Sequence, residues 1–399
     1  MLNIVFYFQV HQPYRLNHFN VLDIGSDSSL FDDRLNKEVM LKVAQKCYLP
    51  TNKLLLELIK AHEGRFKVAF SITGTAIEQF KLYSPKTLDS FKELVNTGCV
   101  ELLGETYYHS LAFLYDRDEF LDQVSMHREL MQQEFGYDTQ TFRNTELIYQ
   151  DSLSDIVYEI EGFKTIVTEG VDRILQWRSP LYAYKNYSKR MNLLLKYYQL
   201  ADDIAFRFSN RDWPEYPLTV QKFVHWIDKL SLGEHKGRNQ FLNLFMDYET
   251  FGEHQWASSG IFDFMRHFPS EILKHSHLGF VTPQETADLA NYQQESISFP
   301  EPVSWADEQR DLSAWLENDM QHNAIETLYG LFEKIRIKGD EELLRTARLL
   351  STSDHFYYMC SKYFQDGDVH KYFSPYDSPD QAYIYYINAL AELEERLMR

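Results

Sequence analysis

The stretch FMDYETFGEHQW, Phe245 to Trp256, decides the reading: an apolar run closes on Asp247, and the chain then opens into an aromatic, polar loop that turns toward Gly252. A strand that ends in an acid and gives way to such a loop delivers that acid to the rim of an α/β barrel, where enzymes of this architecture do their chemistry. TFRNTELIYQD, Thr141 to Asp151, repeats the arrangement with Glu146. Cleavage of a glycosidic bond needs two carboxyl groups, one attacking or activating the attacker at the anomeric carbon and one protonating the departing oxygen. An isolated acid after a strand reads equally well as a helix N-cap or a surface ion pair. It is the pair that carries the expectation.

Outward from these segments, short β-rich runs recur at Asn3 to Val10, Phe66 to Thr73, Cys99 to Leu103, Thr141 to Thr145, Thr165 to Thr168, Ile204 to Phe208 and Leu242 to Met246. Amphipathic stretches such as Asn52 to His62 and Glu119 to Glu134 lie between them, the alternation expected of βα units around a parallel sheet. Leu181 to Leu200 is Tyr-rich and basic, breaks the rhythm, and reads as a hairpin or loop over the barrel mouth. Past Pro283 the β signal disappears. Leu328, Leu331, Phe332 and Ile335 then recur at helical spacing, as do apolar residues from Tyr383 to Leu397, which predicts a helical bundle packed on the barrel. The expected division is a catalytic barrel over residues 1–285 and a helical domain over residues 286–399 that completes the substrate cleft, joined as one rigid body.

With 399 residues, 44% of them hydrophobic, the chain can bury an extensive core. Its formal charge of -19 argues against nucleic acid or an anionic membrane as partner, because polyanions attract basic surfaces. A neutral polymer meets no such barrier. Cys47, Cys99 and Cys360 are far apart without C-x-x-C spacing, so neither a disulfide framework nor a thiolate metal site is expected, and a reducing, cytoplasmic setting fits best. The apolar start MLNIVFYFQVHQP has neither a basic leader nor a small-residue cleavage site, and reads as the first strand.

FYFQVHQPYRL (Phe6 to Leu16), GETYYHSL (Gly104 to Leu111), the two acid-bearing segments and SWADEQRDLSAWLENDMQ (Ser304 to Gln321) closely resemble the five sequence regions of glycoside hydrolase family 57, in particular its α-amylase branch. The resemblance spans nearly the whole chain. It implies an incomplete (β/α)7 barrel with a C-terminal helical domain, Glu146 as catalytic nucleophile and Asp247 as general acid/base. The implied reaction is retaining cleavage of α-1,4-glucosidic bonds in starch, glycogen or maltooligosaccharides by double displacement.

His11 and Gln12, in HQP, match a region that lines the family's substrate site. His109 stands near where some transferase relatives carry Glu, which leans toward the amylase branch. Glu105, Arg143 and Asn144 are expected beside the sugar, with Glu105 or Asn144 holding hydroxyls by paired hydrogen bonds, and His254 and Asp307 extend the same rim. Trp305 is the expected stacking platform for a glucose ring. Trp315, at helical spacing, reads as either platform or core. Glu249, two residues after Asp247, competes for the acid role and ranks as a substrate-binding or supporting residue whose charge helps keep Asp247 protonated. SDHFYYM (Ser353 to Met359) also resembles the α-amylase branch, but three successive aromatic residues on a helix read as interface structure.

Neither metal nor organic cofactor is expected. A metal-dependent carbohydrate deacetylase would need a His-x-x-x-His pair, and none of the 14 histidines is followed by another four residues on. Within the family the alternatives are a 4-α-glucanotransferase or a branching enzyme, and beyond them a catalytically inactive glucan-binding homologue. The expected partner is an α-glucan polymer or oligosaccharide. Oligomeric state leaves no mark in the sequence.

Overall fold

The computed structural model describes residues 1–26, 28–232, 238–290, 295–362 and 374–399. Its strands are β1 (Leu2–Val10), β2 (Val68–Ile72), β3 (Val100–Leu102), β4 (Thr141–Arg143), β5 (Thr165–Glu169), β6 (Tyr184–Lys185), β7 (Asn192–Lys196), β8 (Gln240–Asp247), β9 (Phe251–Gly252), β10 (Gln255–Trp256) and β11 (Leu278–Phe280). β1 is buried along its whole length and reads as a near-continuous apolar run, as a parallel strand covered on both faces should. It pairs with β8 from Leu2–Gln240 to Gln9–Asp247 on one edge, and with β11 and then β2 on the other. β2 pairs with β3, and β4 with β5 and β5 with β7, all parallel.

A parallel bridge between Gly104 and Phe142 joins β3 to β4. At β7 and β8 the ladder gives way to two bonds around one residue: the Tyr197 N–H donates to Asn243 O at 2.9 Å, and Asn243 Nδ2 donates to Leu195 O at 2.8 Å. The result is an incomplete (β/α)7 barrel followed by helices. Alternation along β1 sends Ile4, Phe6, Phe8 and Val10 outward into the helix-covered core, while Val5 and Tyr7 point inward with Ala69, Leu103, Val167, Leu194 and Phe245.

Of the seven runs read as strands, six are strands, β1 to β5 and β8, while the parallel strands β7 and β11 were not read. Ile204 to Phe208 is no strand: Ile204 and Ala205 close the helix Tyr198–Ala205, where they bury with Leu200 and Ala201. β7 lies inside the segment read as hairpin or loop, and it does form an antiparallel hairpin with β6. A short apolar run has the same composition in either state, and here the helical i, i+3, i+4 burial won over alternation. β11, three residues long, carries too little signal to be seen.

Beyond the barrel the chain is helical at Asp319–Lys338, Glu341–Leu350, Ser353–Tyr357 and Pro379–Met398. The first is capped by Asn318, whose side chain accepts from the Gln321 N–H, and ends at Gly339 in the left-handed region (φ 73°). Leu328, Leu331, Phe332 and Ile335 are buried in one cluster with Trp315 and with Leu16, Phe19, Leu30, Leu111 and Ile148 from barrel loops. Arg336 and Arg348 both reach the buried Glu119 on a barrel helix. Among the described residues no helix is long and apolar enough to cross a membrane.

Candidate active site

Parallel strands deliver their C-terminal ends to one rim, and the acids arrive there by different local devices. Glu146 follows β4 in a tight turn and sits in the left-handed region at φ 57°, with Leu147 beside it at 53°. Each such residue costs on the order of 1–3 kcal/mol. The turn is held by Asn144 Nδ2 donating to Ile148 O at 3.1 Å, by complete burial of Leu147, and by the Trp305 N–H donating to Glu146 O at 3.1 Å. Of the eight non-glycine residues with positive φ among those described, four line one cleft: His109, Glu146, Asp307 and Arg310. Asp247 ends β8 directly. The chain then turns at Gly252, whose φ of 107° and close approach to Lys46 O exclude a side chain.

Three donors converge on the Glu146 carboxylate. Trp305 Nε1 donates to Oε2 at 2.6 Å, His109 Nε2 to Oε1 at 3.1 Å, and Ser353 Oγ to Oε1 at 3.4 Å. Burial alone would raise the Glu146 pKa, but His109, the Arg143 guanidinium and the Trp305 N–H hold it below the ordinary carboxylate value. His109 is itself pressed toward neutrality by burial. Its bonds to Glu105 (Nδ1 to Oε2, 3.4 Å) and Glu146 prevail and raise it to about 9, so at neutral pH it is an imidazolium between two carboxylates.

Asp247 is displaced the other way. Burial, and then the charge of Glu146, push it up to about 6, against the lowering pull of Arg143, His109 and Lys196. Glu249 goes further, to about 8, through burial and the charge of Asp247; its Oε1 accepts from the Tyr48 hydroxyl and from Gln12 Nε2 at 3.5 Å. The expectation that the charge of Glu249 keeps Asp247 protonated is therefore corrected. Glu249 is the group held neutral, and Glu146 is the charge that Asp247 feels.

Of the residues expected beside the substrate, His11, Gln12, His109, Glu249, His254, Trp305 and Asp307 line the cleft with Glu146 and Asp247. Glu105, Arg143 and Asn144 do not. The inward alternation that places Leu103 inside the barrel carries on to Glu105, and Arg143 is likewise fully buried beneath the rim, so these two back the wall where they were expected to face sugar. Asn144 is engaged by the Glu146 turn. The Trp305 ring lies 5.0 Å from the Arg143 guanidinium and 5.4 Å from Lys196 Nζ, so it orients Glu146 as well as facing the cleft.

Thr73 caps the helix Gly74–Tyr83 by accepting from the Ala76 N–H, which leaves its hydroxyl hydrogen for His11 Nδ1 at 3.0 Å. His11 Nε2–H then donates to Asp354 Oδ2 at 2.9 Å, and the ring stacks on His109 with centroids 4.1 Å apart. Burial and the His109 charge lower its pKa, consistent with a neutral ring. Trp315 and His355 are buried at 1% and 2% exposure and do not line the cleft.

Sequence reasoning missed Lys196, Arg310, Ser353, Asp354 and Tyr357. Lys196 and Arg310 carried no acid-like signature, although Lys196 ends an apolar run just as Asp247 does; it pairs with Glu169 at 3.3 Å and Asp202 at 3.2 Å. Ser353, Asp354 and Tyr357 belong to the SDHFYYM segment read as interface structure. His355 is buried as that reading required, but Asp354, Tyr357 and the largely buried Tyr358 line the cleft.

The cleft encloses about 1160 Å³, beyond the range of about 300–1,000 Å³ usual for small-molecule pockets. Among the described residues, no three acid, histidine or cysteine side chains lining it gather ligand atoms within 4.8 Å. An ionised carboxylate fixed by three donors and a second carboxyl protonated up to about pH 6 can attack a carbon and protonate a leaving oxygen in one step.

Known proteins resemble this chain in sequence and in fold. The model of glycosyl hydrolase family 57 matches residues 5–300. A protein of Methanocaldococcus jannaschii described as "Putative alpha-amylase" is 43% identical over 98% of this chain and 84% of its own length. Among solved structures, a branching enzyme from Pyrococcus horikoshii superposes with a TM-score of 0.69 at 15% identity over 93% of this chain and 87% of its own. An alpha-amylase from Thermotoga maritima gives 0.64 at 14% over 99% and 93%. A 4-alpha-glucanotransferase from Thermococcus litoralis gives 0.63 at 17%, over 89% of this chain and 56% of its own.

Proposed function

Since the chain belongs to glycosyl hydrolase family 57 and is a glycoside hydrolase resembling α-amylases, we propose that it cleaves α-1,4-glucosidic bonds of starch, glycogen or maltooligosaccharides with retention of configuration. The observation that carries this reading is the opposite displacement of two carboxyl groups in one cleft, Glu146 toward the anion and Asp247 toward the acid. Splitting the two pKa values in this way assigns roles to an otherwise equivalent pair.

In the first step Glu146 attacks the anomeric carbon while Asp247 gives its proton to the glycosidic oxygen, releasing the reducing-end fragment and leaving a glycosyl ester on Glu146. As that ester forms, the carboxylate loses the charge that had raised the Asp247 pKa, so Asp247 becomes a stronger acid when the leaving group needs its proton. Once ionised, it takes a proton from water, and the resulting attack returns the sugar with its original configuration. His109 and Trp305 hold the nucleophile's two oxygens throughout. The cleft's volume supports several sugar rings rather than one.

The domain division at about residue 285 remains our reading, as does a cytoplasmic setting, which is supported by Cys47, Cys99 and Cys360 being buried thiols. The test is the product. Maltoheptaose should yield shorter oligosaccharides whose new reducing ends are first seen by NMR as the α anomer. First-formed β anomer would overturn the retaining mechanism, and products longer than the substrate without new reducing ends would move the activity to glucan transfer.

A further inference from the structure

Away from the cleft, Asp228 leaves the helix Val220–Ser231 toward the loop that joins the helix Ile261–Ile272 to β11, and His275 and His277 meet it there. His277 Nε2 lies 2.8 Å from Asp228 Oδ1, and His275 Nδ1 lies 3.7 Å from the same oxygen. One ligand atom from each of the three residues falls within 4.8 Å of the others. We propose that this trio binds a divalent transition-metal ion of the zinc type through His275 Nδ1, His277 Nε2 and the Asp228 carboxylate, with water completing the coordination.

The argument is one of spacing and donor chemistry. Zinc bonds to nitrogen and oxygen of about 2.0–2.1 Å make the edge of a coordination tetrahedron about 3.3–3.4 Å. The two observed donor separations fall on either side of that edge, so an ion is seated by small side-chain rotations and no movement of the backbone. The imidazole planes stand at 86° with centroids 5.7 Å apart, which lets both rings present a nitrogen to the same point without clashing. Two imidazoles and one carboxylate suit zinc, nickel or copper, whereas calcium and magnesium ask for oxygen ligands. The three side chains are 27%, 36% and 44% exposed, which gives the ion a route in and leaves room for water.

The site's position assigns it a structural role. Leu2 and Gln240 begin β1 and β8 beside Leu278 of β11, and the Leu2 N–H donates to His277 O at 2.9 Å. The trio therefore lies at the N-terminal ends of the strands, across the barrel from the cleft. A bound ion there ties two outer helices to the start of the central strands and raises the temperature of unfolding.

The test uses the full chain made metal-free by dialysis against EDTA and titrated with zinc chloride in a calorimeter, with thermal melts in parallel. The expected result is one zinc per chain, bound at least tenfold more tightly than magnesium, and a Tm that climbs with zinc concentration, because a ligand held only by the folded state stabilises it. His277→Ala and His275→Gln should each weaken binding by tenfold or more and abolish the climb. His275→Gln removes only the longer of the two contacts with Asp228, so it reports on the ion even where His277→Ala disturbs the fold. Absence of zinc binding by the wild type, or equal affinity in the wild type and His275→Gln, overturns the proposal.

Discussion

Replacing His109 with glutamine removes the charge beside the nucleophile while keeping a side chain of similar reach. In the native protein the ring faces Glu105 at 3.4 Å and Glu146 at 3.1 Å, and although burial favours the neutral form, these carboxylates raise its pKa to about 9. In the unfolded chain it returns to about 6.5. A group whose pKa rises on folding holds its proton more tightly in the native state. Its stabilisation is therefore complete below about pH 6.5 and is lost as the pH climbs through about 9. A displacement of about 2.5 pH units, at about 1.4 kcal/mol each, is worth about 3 kcal/mol. Wild type and His109→Gln are unfolded in urea at pH 6 and at pH 9.5, and the gap in stability between them is read at each. Other groups that titrate in this window, Glu249 among them, are present in both proteins and largely cancel. The gap should shrink by about 3 kcal/mol between the two pH values. A gap that does not change would mean that His109 is neutral in the native protein, and the account of Glu146 as a stabilised anion would fall with it.

The first chemical step needs Glu146 ionised and Asp247 protonated, so kcat/KM on a maltooligosaccharide should rise through the low carboxylate range and fall through about pH 6. A fall centred near pH 8 that disappears in Glu249→Gln would give the acid role to Glu249 instead. Glu146→Gln should lose turnover on every substrate, while Asp247→Asn should keep measurable cleavage of activated aryl α-glucosides, whose leaving groups need little protonation. Azide should rescue Glu146→Ala with a glycosyl azide of inverted configuration; equal loss in the two amide variants on activated substrates would contradict the assignment. Starch hydrolysis should survive exhaustive chelation below the melting temperature, and complete loss restored by one divalent ion would point to a metal in the reaction.

The barrel was legible because its strands are buried on both faces and announce themselves as apolar runs, and because Glu146 and Asp247 follow two of those runs directly. At the site, what stayed hidden has a common physical cause. A side chain's role at the rim depends on partners set by tertiary packing: His11 with Asp354 across 343 residues, Trp305 with Glu146 across 159. Alternation predicts which way Glu105 and Arg143 point, but the depth of the rim relative to the last strand residue decides whether an inward side chain meets sugar or lies beneath it. β7 was missed for a different reason: NLLLK and IAFRF are equivalent as apolar runs, and only the neighbours each one meets settle which pairs and which coils.

The arrangement of charge beneath the cleft explains why buried acids are tolerated so close together. Glu105 and Glu146 are held ionised, and Arg143 and the His109 imidazolium stand between and below them. Two negative and two positive groups nearly balance, so a further full charge on Asp247 or Glu249 would be unmatched in a water-poor site, and both instead keep their protons well above the ordinary range. The acid catalyst is thus prepared by the nucleophile's charge together with burial, and the nucleophile by His109. Ser353 and Trp305 reach Glu146, and Asp354 reaches His11, from the chain beyond the barrel strands. The chain beyond β11 accordingly does more than cover the barrel: through Trp305 and Ser353 it supplies two of the three side-chain donors that fix the Glu146 carboxylate.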